Sequence, residues 1–352
     1  MITIRPVAMR RARLVTSRPI EVDWSPQSAA SPKGIAPVAF AVVSWNTREL
    51  LARCLDSLQA EVQAGRASVS VIDNASTDGS AELVSSRYAW AELIALDENL
   101  GFGAAVNVAA ARSRSQWIAV ANADVELGDG ALQKLLDAGA RDPAAGIVAP
   151  RLLLPDGTTQ HSVYSFPTLG FTVAFNLGAG AMSRQWGDRM LLEGLWNPDR
   201  PRRVDWAIGA FLLVRRAAWD GIGGFAPEHW MYAEDLDLGW RANAAGWRTR
   251  FEPSAVVRHH SAAATSQVWG DDRDVRWQRS TYAWMLRRRG PAFMRACAFV
   301  NTVGAAARVA VAAAPALVLG GDWRWRWRAN RRWTRLHLDG LLASRDALER
   351  HR

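Results

Sequence analysis

The chain has 352 residues, 49% of them hydrophobic and 22% charged, enough to bury a sizeable core and too apolar for a disordered polyelectrolyte. Its two cysteines, Cys54 and Cys297, stand far apart and exclude a disulfide scaffold or a multi-cysteine zinc site. The net charge of +9 is unevenly placed: residues 273–352 hold 17 Arg against five acids, residues 1–34 are also basic, and the body between them is net acidic. Two basic flanks suit a polyanionic partner, either a membrane surface or nucleic acid. The plain alternative is a solvated, arginine-rich surface in a chain whose only lysines are Lys33 and Lys134.

Taken in chain order, residues 1–34 mix Pro, Ser and Arg without an apolar period or a secretory signal core, which predicts a disordered basic arm. VAFAVVSW (38–45) is the continuous apolar run that a buried parallel strand needs. Residues 47–60 follow as a helix with Leu51, Cys54, Leu55 and Leu58 on one face. VSVI (69–72), ELIAL (92–96) and WIAVA (117–121) read as further strands, with a helix at 104–112 before the last. Strands alternating with helices at this spacing predict a doubly wound, Rossmann-like α/β sheet, mostly parallel. Residues 155–203 read as a long, partly ordered connection. WAIGAFLLVRR (206–216) reads as one buried strand, 233–245 as a helix opening with acids, and FEPSAVVRHH (251–260) as a strand ending in two histidines.

Each early strand ends in polar residues. Ligands of open α/β sheets sit beyond the carboxyl ends of the strands, so Asp73, Asn99 and Asp124 are candidates for one cleft. Taken singly, each is equally a turn residue or helix cap. Asn122-Ala123-Asp124 offers hard oxygen ligands suited to Mg2+ or Mn2+ bridging to a diphosphate. In Glu234-Asp235-Leu236-Asp237 the acids either complement the helix dipole or include a general base for an attacking hydroxyl. The adjacent His259 and His260 could supply one metal ligand. No Ser/His/Asp or Cys/His nucleophile arrangement is evident.

The segments SWN (44–46), VIDNASTDGS (71–80), NLGFGAAVN (99–107), VANADV (120–125), GAFLLVRR (209–216), GGFAPEHWMYAEDLDLGWR (223–241) and PSAVVRHH (253–260) keep the order and spacing seen in inverting family 2 glycosyltransferases. Within that family the chain most resembles bacterial rhamnosyltransferases acting on polyprenyl-diphosphate-linked N-acetylglucosamine. The resemblance covers roughly residues 36–290. It implies a GT-A nucleotide-sugar-binding fold at 35–272, followed by a basic helical extension at 273–352. It further implies a nucleotide-sugar pocket lined by Asn46, Asp73, Asn99, Gly101, Asn122 and Asp124, with Asp73 reading the nucleobase. Asp235 resembles the catalytic base, with Glu234 beside it near the acceptor. Asp124 resembles the last acid of a metal-binding D-x-D motif and His259 the late histidine that meets metal or diphosphate, with His260 the second choice. Asn122 replaces the first acid, leaving the site less anionic. The implied activity is transfer of a sugar, rhamnose from dTDP-rhamnose before a UDP-linked hexose or galactofuranose, to a polyprenyl-linked acceptor, with Mg2+ or Mn2+ as cofactor.

In the tail, DWRWRWRANRRW (322–333) interleaves Trp with Arg, a pattern suited to lipid headgroups. No apolar run of 18 residues escapes a charge, and the stretch between Arg308 and Asp322 is too short to span. The expectation is therefore a cytoplasmic protein held peripherally on the inner face of the membrane. Two alternatives stay open: a helical hairpin packed on the catalytic domain, and a basic nucleic-acid-binding protein, disfavoured because the acidic body adds no basic groove.

Overall fold

The computed structural model describes residues 35–178, 183–260 and 273–343. The predicted arm at 1–34 and the segment that follows His260 lie outside them. The first half contains β1 (Val38–Ser44), α1 (Arg48–Gln63), β2 (Ala67–Asp73), α2 (Ser80–Arg87), β3 (Glu92–Ala95), α3 (Phe102–Arg112) and β4 (Trp117–Asn122). It is followed by β5 (Val125–Leu127), α4 (Ala131–Arg141), β6 (Ala145–Leu153), β7 (Val163–Tyr164), α5 (Leu169–Asn176) and α6 (Arg184–Arg189). Next come β8 (Arg202–Val204), β9 (Trp206–Ala207), β10 (Phe211–Arg215), α7 (Arg216–Ile222), α8 (Glu234–Ala244) and β11 (Arg248–His259).

The main sheet runs β3-β2-β1-β4-β10-β6-β11-β5, with β8 also paired to β11. Pairing is parallel from β3 to β4 and again between β6 and β11, while β10 enters antiparallel to both neighbours. Alternation along β4 explains its continuous apolar sequence. Trp117, Ala119 and Ala121 face one hydrophobic layer, which α1 completes with Leu51, Leu55 and Leu58. Ile118 and Val120 face the other, which α3 completes with Ala105, Val106 and Ala109. Both faces are covered, so a parallel strand has no polar side to show.

Three sequence expectations change. The run 206–216 is not one strand: β9 leaves the main sheet to pair with β7, and β10 begins at Phe211. The break falls at Gly209, whose backbone N–H turns to donate to Asp235 Oδ2 at 2.9 Å rather than to a ladder. The connection 155–203 holds β7, α5, α6 and β8. The final strand starts at Arg248 and skips register between Glu252 and Val256, where Pro253 has no N–H to offer.

Beyond the sheet-centred body come α9 (Arg273–Arg289), α10 (Pro291–Val318) and α11 (Gly321–Leu342). Gly290, at φ +85°, ends α9, and Pro291 opens α10 at the position where its missing N–H costs nothing. Tyr282, Trp284 and Met285 of α9 are buried with Phe166, Trp206 and Leu236 of the body. Helices α10 and α11 form a hairpin, joined by the bond from Arg324 Nε to the Ala316 carbonyl, and both arms meet α9: the Tyr282 hydroxyl lies 2.8 Å from His337 Nδ1, and Asn301 Nδ2 donates to that hydroxyl at 3.1 Å. Burial pushes the His337 imidazole down to about 4, with the Arg308 charge adding to the shift. The extension is thus helical, as expected, and packs as a hairpin.

The expectation that nothing is long enough to span is corrected. Helix α10 has 28 residues and is apolar enough that by length and composition it could cross a bilayer. The charge that interrupted the run, Arg308, donates to Asn330 Oδ1 at 3.1 Å and Asn176 Oδ1 at 3.2 Å. It remains exposed, held at the edges of α11 and α5 by these two bonds.

Candidate active site

The carboxyl ends of β1, β2 and β4 align: Ser44 pairs with Asp73, and Val43 with Asn122. That register sets Asp73, Asn122 and Asp124 along one edge, as the strand-end pattern predicts. Asp73 is buried, and its Oδ2 accepts from the Ser76 N–H at 3.0 Å. Asn46 sits at φ +52°, donates its N–H to Ser76 Oγ at 2.9 Å and accepts from Thr77 N–H at 2.8 Å. The loops after β1 and β2 are therefore locked together, and Asn46 acts as a brace between them.

Asn74 ties this pair to the loop after β3, accepting from Leu100 N–H at 2.9 Å. Asn99 Oδ1 accepts from Gly101 N–H at 2.9 Å, and Trp230 Nε1 donates to the Asn99 carbonyl at 3.2 Å. Gly101 has φ +83°, and a Cβ there would run into the Trp230 carbonyl and ring. Only glycine fits so close a backbone approach. The contact brings residue 230, just ahead of the acidic helix, against the loop predicted to line the nucleotide pocket.

At the other end of the edge, Asp124 and His259 are both buried, with Asp124 Oδ1 3.3 Å from His259 Nε2. His259 Nδ1 lies 2.7 Å from Gln160 Oε1. That carbonyl oxygen can only accept, so the ring proton belongs on Nδ1. His259 Nε2 then faces a carboxylate oxygen at 3.3 Å, a geometry in which the neutral ring and the carboxylate can share a cation. The donor set, one carboxylate and one imidazole, fits Mn2+ or Mg2+ if diphosphate oxygens and water complete the shell. Among the described residues no cluster of three His, Cys, Asp or Glu exists to hold a metal by protein ligands alone. His260 is turned elsewhere, its Nε2 2.6 Å from Glu126 Oε1. Cys54 lies behind this edge as an inert thiol: burial, then the charges of Asp124 and Glu126, push its pKa far up.

The acidic cluster opens α8. Tyr232 and Ala233 both adopt left-handed backbone, at φ +65° and +64°, immediately before Glu234. Two such non-glycine residues in succession store strain that the surroundings must hold. Glu234 is buried, and desolvation followed by the neighbouring Asp235 pushes its carboxyl up to about 8. Burial also raises Asp235, against the hydrogen bonds from the Gly209 and Leu236 N–H groups. Asp235 is the more open of the two. A protonated acid beside a carboxylate is the usual outcome when like charges share a site.

Asp237, unassigned from sequence, proves to be the anchor. It is fully buried, and it accepts from Arg241 Nε at 2.6 Å and from Arg288 Nε at 2.6 Å and Nη2 at 3.0 Å, with His229 at 3.7 Å. Burial alone would raise its carboxyl, but the nearby His229 ring and the bonds from Arg288 and Arg241 hold it well below the usual carboxylate range. Arg288 belongs to α9, so the extension clamps the helix that carries Glu234 and Asp235. Gln160, Trp230 and Gly209 also support the site without having been singled out. Gln160 and Trp230 carry no local pattern, whereas Gly209 stood visibly inside an otherwise apolar run.

Comparison with known proteins fits this arrangement. A model of glycosyl transferase family 2 matches residues 40–192, and one of glycosyl transferase family 21 matches residues 200–327. The chain is 35% identical over 272 residues to the N-acetylglucosaminyl-diphospho-decaprenol L-rhamnosyltransferase of Mycobacterium tuberculosis, covering 70% of this chain and 87% of that enzyme. It is 30% identical over 132 residues to rhamnosyltransferase WbbL of Escherichia coli, covering 37% of this chain and 46% of that one. A mannosyltransferase of Pyrobaculum calidifontis, solved with GDP-mannose and Mn2+, superposes with a TM-score of 0.55 at 17% identity, covering 91% and 92% of the two chains. That likeness is one of fold.

Proposed function

This chain belongs to glycosyl transferase family 2, and from that membership we propose that it transfers rhamnose from dTDP-rhamnose, with inversion, to a polyprenyl-diphosphate-linked N-acetylglucosamine. The substrate reading rests on the similarity to the mycobacterial enzyme, whose name states that acceptor and that sugar. The chemical reading rests on one observation above others: Asp235, anchored through Oδ2 to the Gly209 N–H, opens the helix braced against the nucleotide-side loop through Trp230.

In this reading Asn46, Asp73, Asn99 and Gly101 form the nucleotide side of the cleft, with Asp73 taking the base. Asn122, Asp124 and His259 form the diphosphate end. A divalent cation, Mg2+ or Mn2+, would be held by Asp124 and His259, and when bound it neutralises charge developing on the departing diphosphate. Asp235 takes the proton from the acceptor hydroxyl as that oxygen attacks the anomeric carbon from the face opposite the leaving group. Glu234, held protonated by burial, keeps the charge at the base to one carboxylate and can donate a hydrogen bond to the acceptor. Gln160 keeps His259 in the tautomer that leaves Nε2 free to ligate. The extension holds the enzyme peripherally on the cytoplasmic face of the membrane, where a polyprenyl acceptor is presented.

The experiment is a thermal-shift panel of nucleotide sugars with and without Mn2+. A ligand that binds only the folded chain raises its melting temperature by mass action. dTDP-rhamnose with Mn2+ should give the largest rise. An equal or larger rise with UDP-hexoses would overturn the donor assignment.

A further inference from the structure

We infer that the membrane contact is made by one apolar surface shared by α5 and α10, and that α10 lies within the bilayer interface rather than crossing it. The inference rests on the membrane reading above and adds its surface and mode. On α10, Phe299, Val303, Val311, Leu317 and Val318 are exposed, the last two at 82% of their full surface. No charged residue occurs between Arg295 and Asp322 except Arg308, which stays exposed while its guanidinium donates to Asn176 and Asn330, so that its charge can reach the headgroup level. Helix α5 lies alongside: Asn176 Nδ2 donates to Asn301 Oδ1 at 2.8 Å, and Gly304 gives Asn176 the room to approach. Its own Val173, Phe175 and Leu177 are exposed in turn. An apolar surface drawn from two adjoining helices is more than a soluble monomer ordinarily leaves uncovered.

Charge identifies an anionic lipid leaflet as the occupant of this face. Arg295 marks one end of the exposed face, and Arg324, Trp325 and Arg326 mark the other, at the turn of the hairpin. Trp325 is 71% exposed. Arginine and tryptophan at the ends of an apolar face match the phosphate and headgroup level of an anionic leaflet, with the apolar stretch in the acyl boundary. Crossing is opposed by packing. Helix α11 runs back along α10, with Arg324 Nε donating to the Ala316 carbonyl and Asn330 engaging Arg308. A spanning α10 would carry the arginines of α11 into hydrocarbon or tear the hairpin apart, uncovering His337 and Tyr282.

The test uses the full chain and vesicles of phosphatidylglycerol and phosphatidylcholine, read by flotation. Val303→Glu combined with Leu317→Glu should weaken vesicle binding by roughly tenfold or more, and Phe175→Glu should weaken it further. Both α10 sites are solvent-exposed, so the melting temperature away from vesicles should not move. Nitroxide labels placed at 303, 311 and 318, with Cys54 and Cys297 both buried, should all report similar, shallow depth. Vesicle binding unchanged in the double variant would overturn the inference. So would a label at 311 deeper than the other two, which means a span, or a dimer in solution that the same variants dissolve, which means a second copy covers the face. Transfer to a short, water-soluble acceptor should survive in every variant. Its absence already in the parent enzyme would fault the proposed reaction and leave the vesicle result standing.

Discussion

Asp237→Ala is the perturbation that most sharply tests how the acidic helix is held. The carboxylate is fully buried and accepts three hydrogen bonds of 2.6 to 3.0 Å from two guanidiniums, one on its own helix and one on α9. Removing one partner of a buried ionic cluster strands the others without solvent and costs about 3–5 kcal/mol. Arg288 and Arg241 retain some access to water, which argues for the lower half of that range. For a chain of this size the corresponding fall in melting temperature is about 5 °C. Arg288→Ala leaves Arg241 and His229 on the carboxylate and should cost less, about 1–3 kcal/mol. The assay is thermal and urea denaturation at neutral pH, with transfer activity measured well below the transition. Activity should also fall, because the strained Tyr232–Ala233 turn loses the anchor beneath it. A melting temperature for Asp237→Ala within about 2 °C of the parent would refute the clamp.

Asp235→Asn should retain nucleotide-sugar affinity and lose about 10²–10⁴ in turnover, read by calorimetry and transfer together. His259→Ala and Asp124→Ala should each remove the Mn2+ dependence of nucleotide-sugar binding, while His260→Ala should keep it; titrating Mn2+ by calorimetry distinguishes them. Glu234 has a raised carboxyl, so the native state holds more protons than the unfolded chain between its ordinary value and about 8. Over that window stability falls as pH rises; Glu234→Gln should flatten the profile and exceed the parent in stability near pH 8, measured by urea melts across pH. Gly101→Ala combines a left-handed backbone with a Cβ against the Trp230 carbonyl, so a loss of about 1–3 kcal/mol in stability is expected, with weaker nucleotide binding.

The parallel half of the sheet was legible because its strands are buried on both faces and read as unbroken apolar runs. The cleft was legible because each of those strands stops at a polar residue. Glu234 and Asp235 stood out as acids at a helix start, and the histidine pair as polar residues closing a strand. The choice between the histidines was not legible, because it depends on Gln160, which reaches His259 from a connection with no periodicity of its own. Asp237 looked like one more acid complementing a helix dipole; its role is set by Arg288, 51 residues downstream. The run 206–216 misread as one strand because Gly209 is small enough to pass within an apolar stretch, and its turn is fixed by Asp235, distant in sequence. Helix α5 went unseen because LGFTVAFN has neither strict alternation nor a polar face. Arg308 interrupts the apolar run in sequence, and only the fold shows it held at the helix edge by Asn176 and Asn330.

Metal-dependent, inverting rhamnosyl transfer to a lipid-diphosphate-linked N-acetylglucosamine leaves a product whose structure can be read directly. The most direct measurement incubates the enzyme with dTDP-rhamnose, a short-chain polyprenyl-diphosphate N-acetylglucosamine and Mn2+, and determines the product by mass spectrometry and its anomeric configuration by NMR. The expected product carries one added rhamnose with inverted anomeric configuration, and none forms after chelation or from the Asp235→Asn enzyme. Retained configuration, or undiminished transfer by Asp235→Asn, would contradict it.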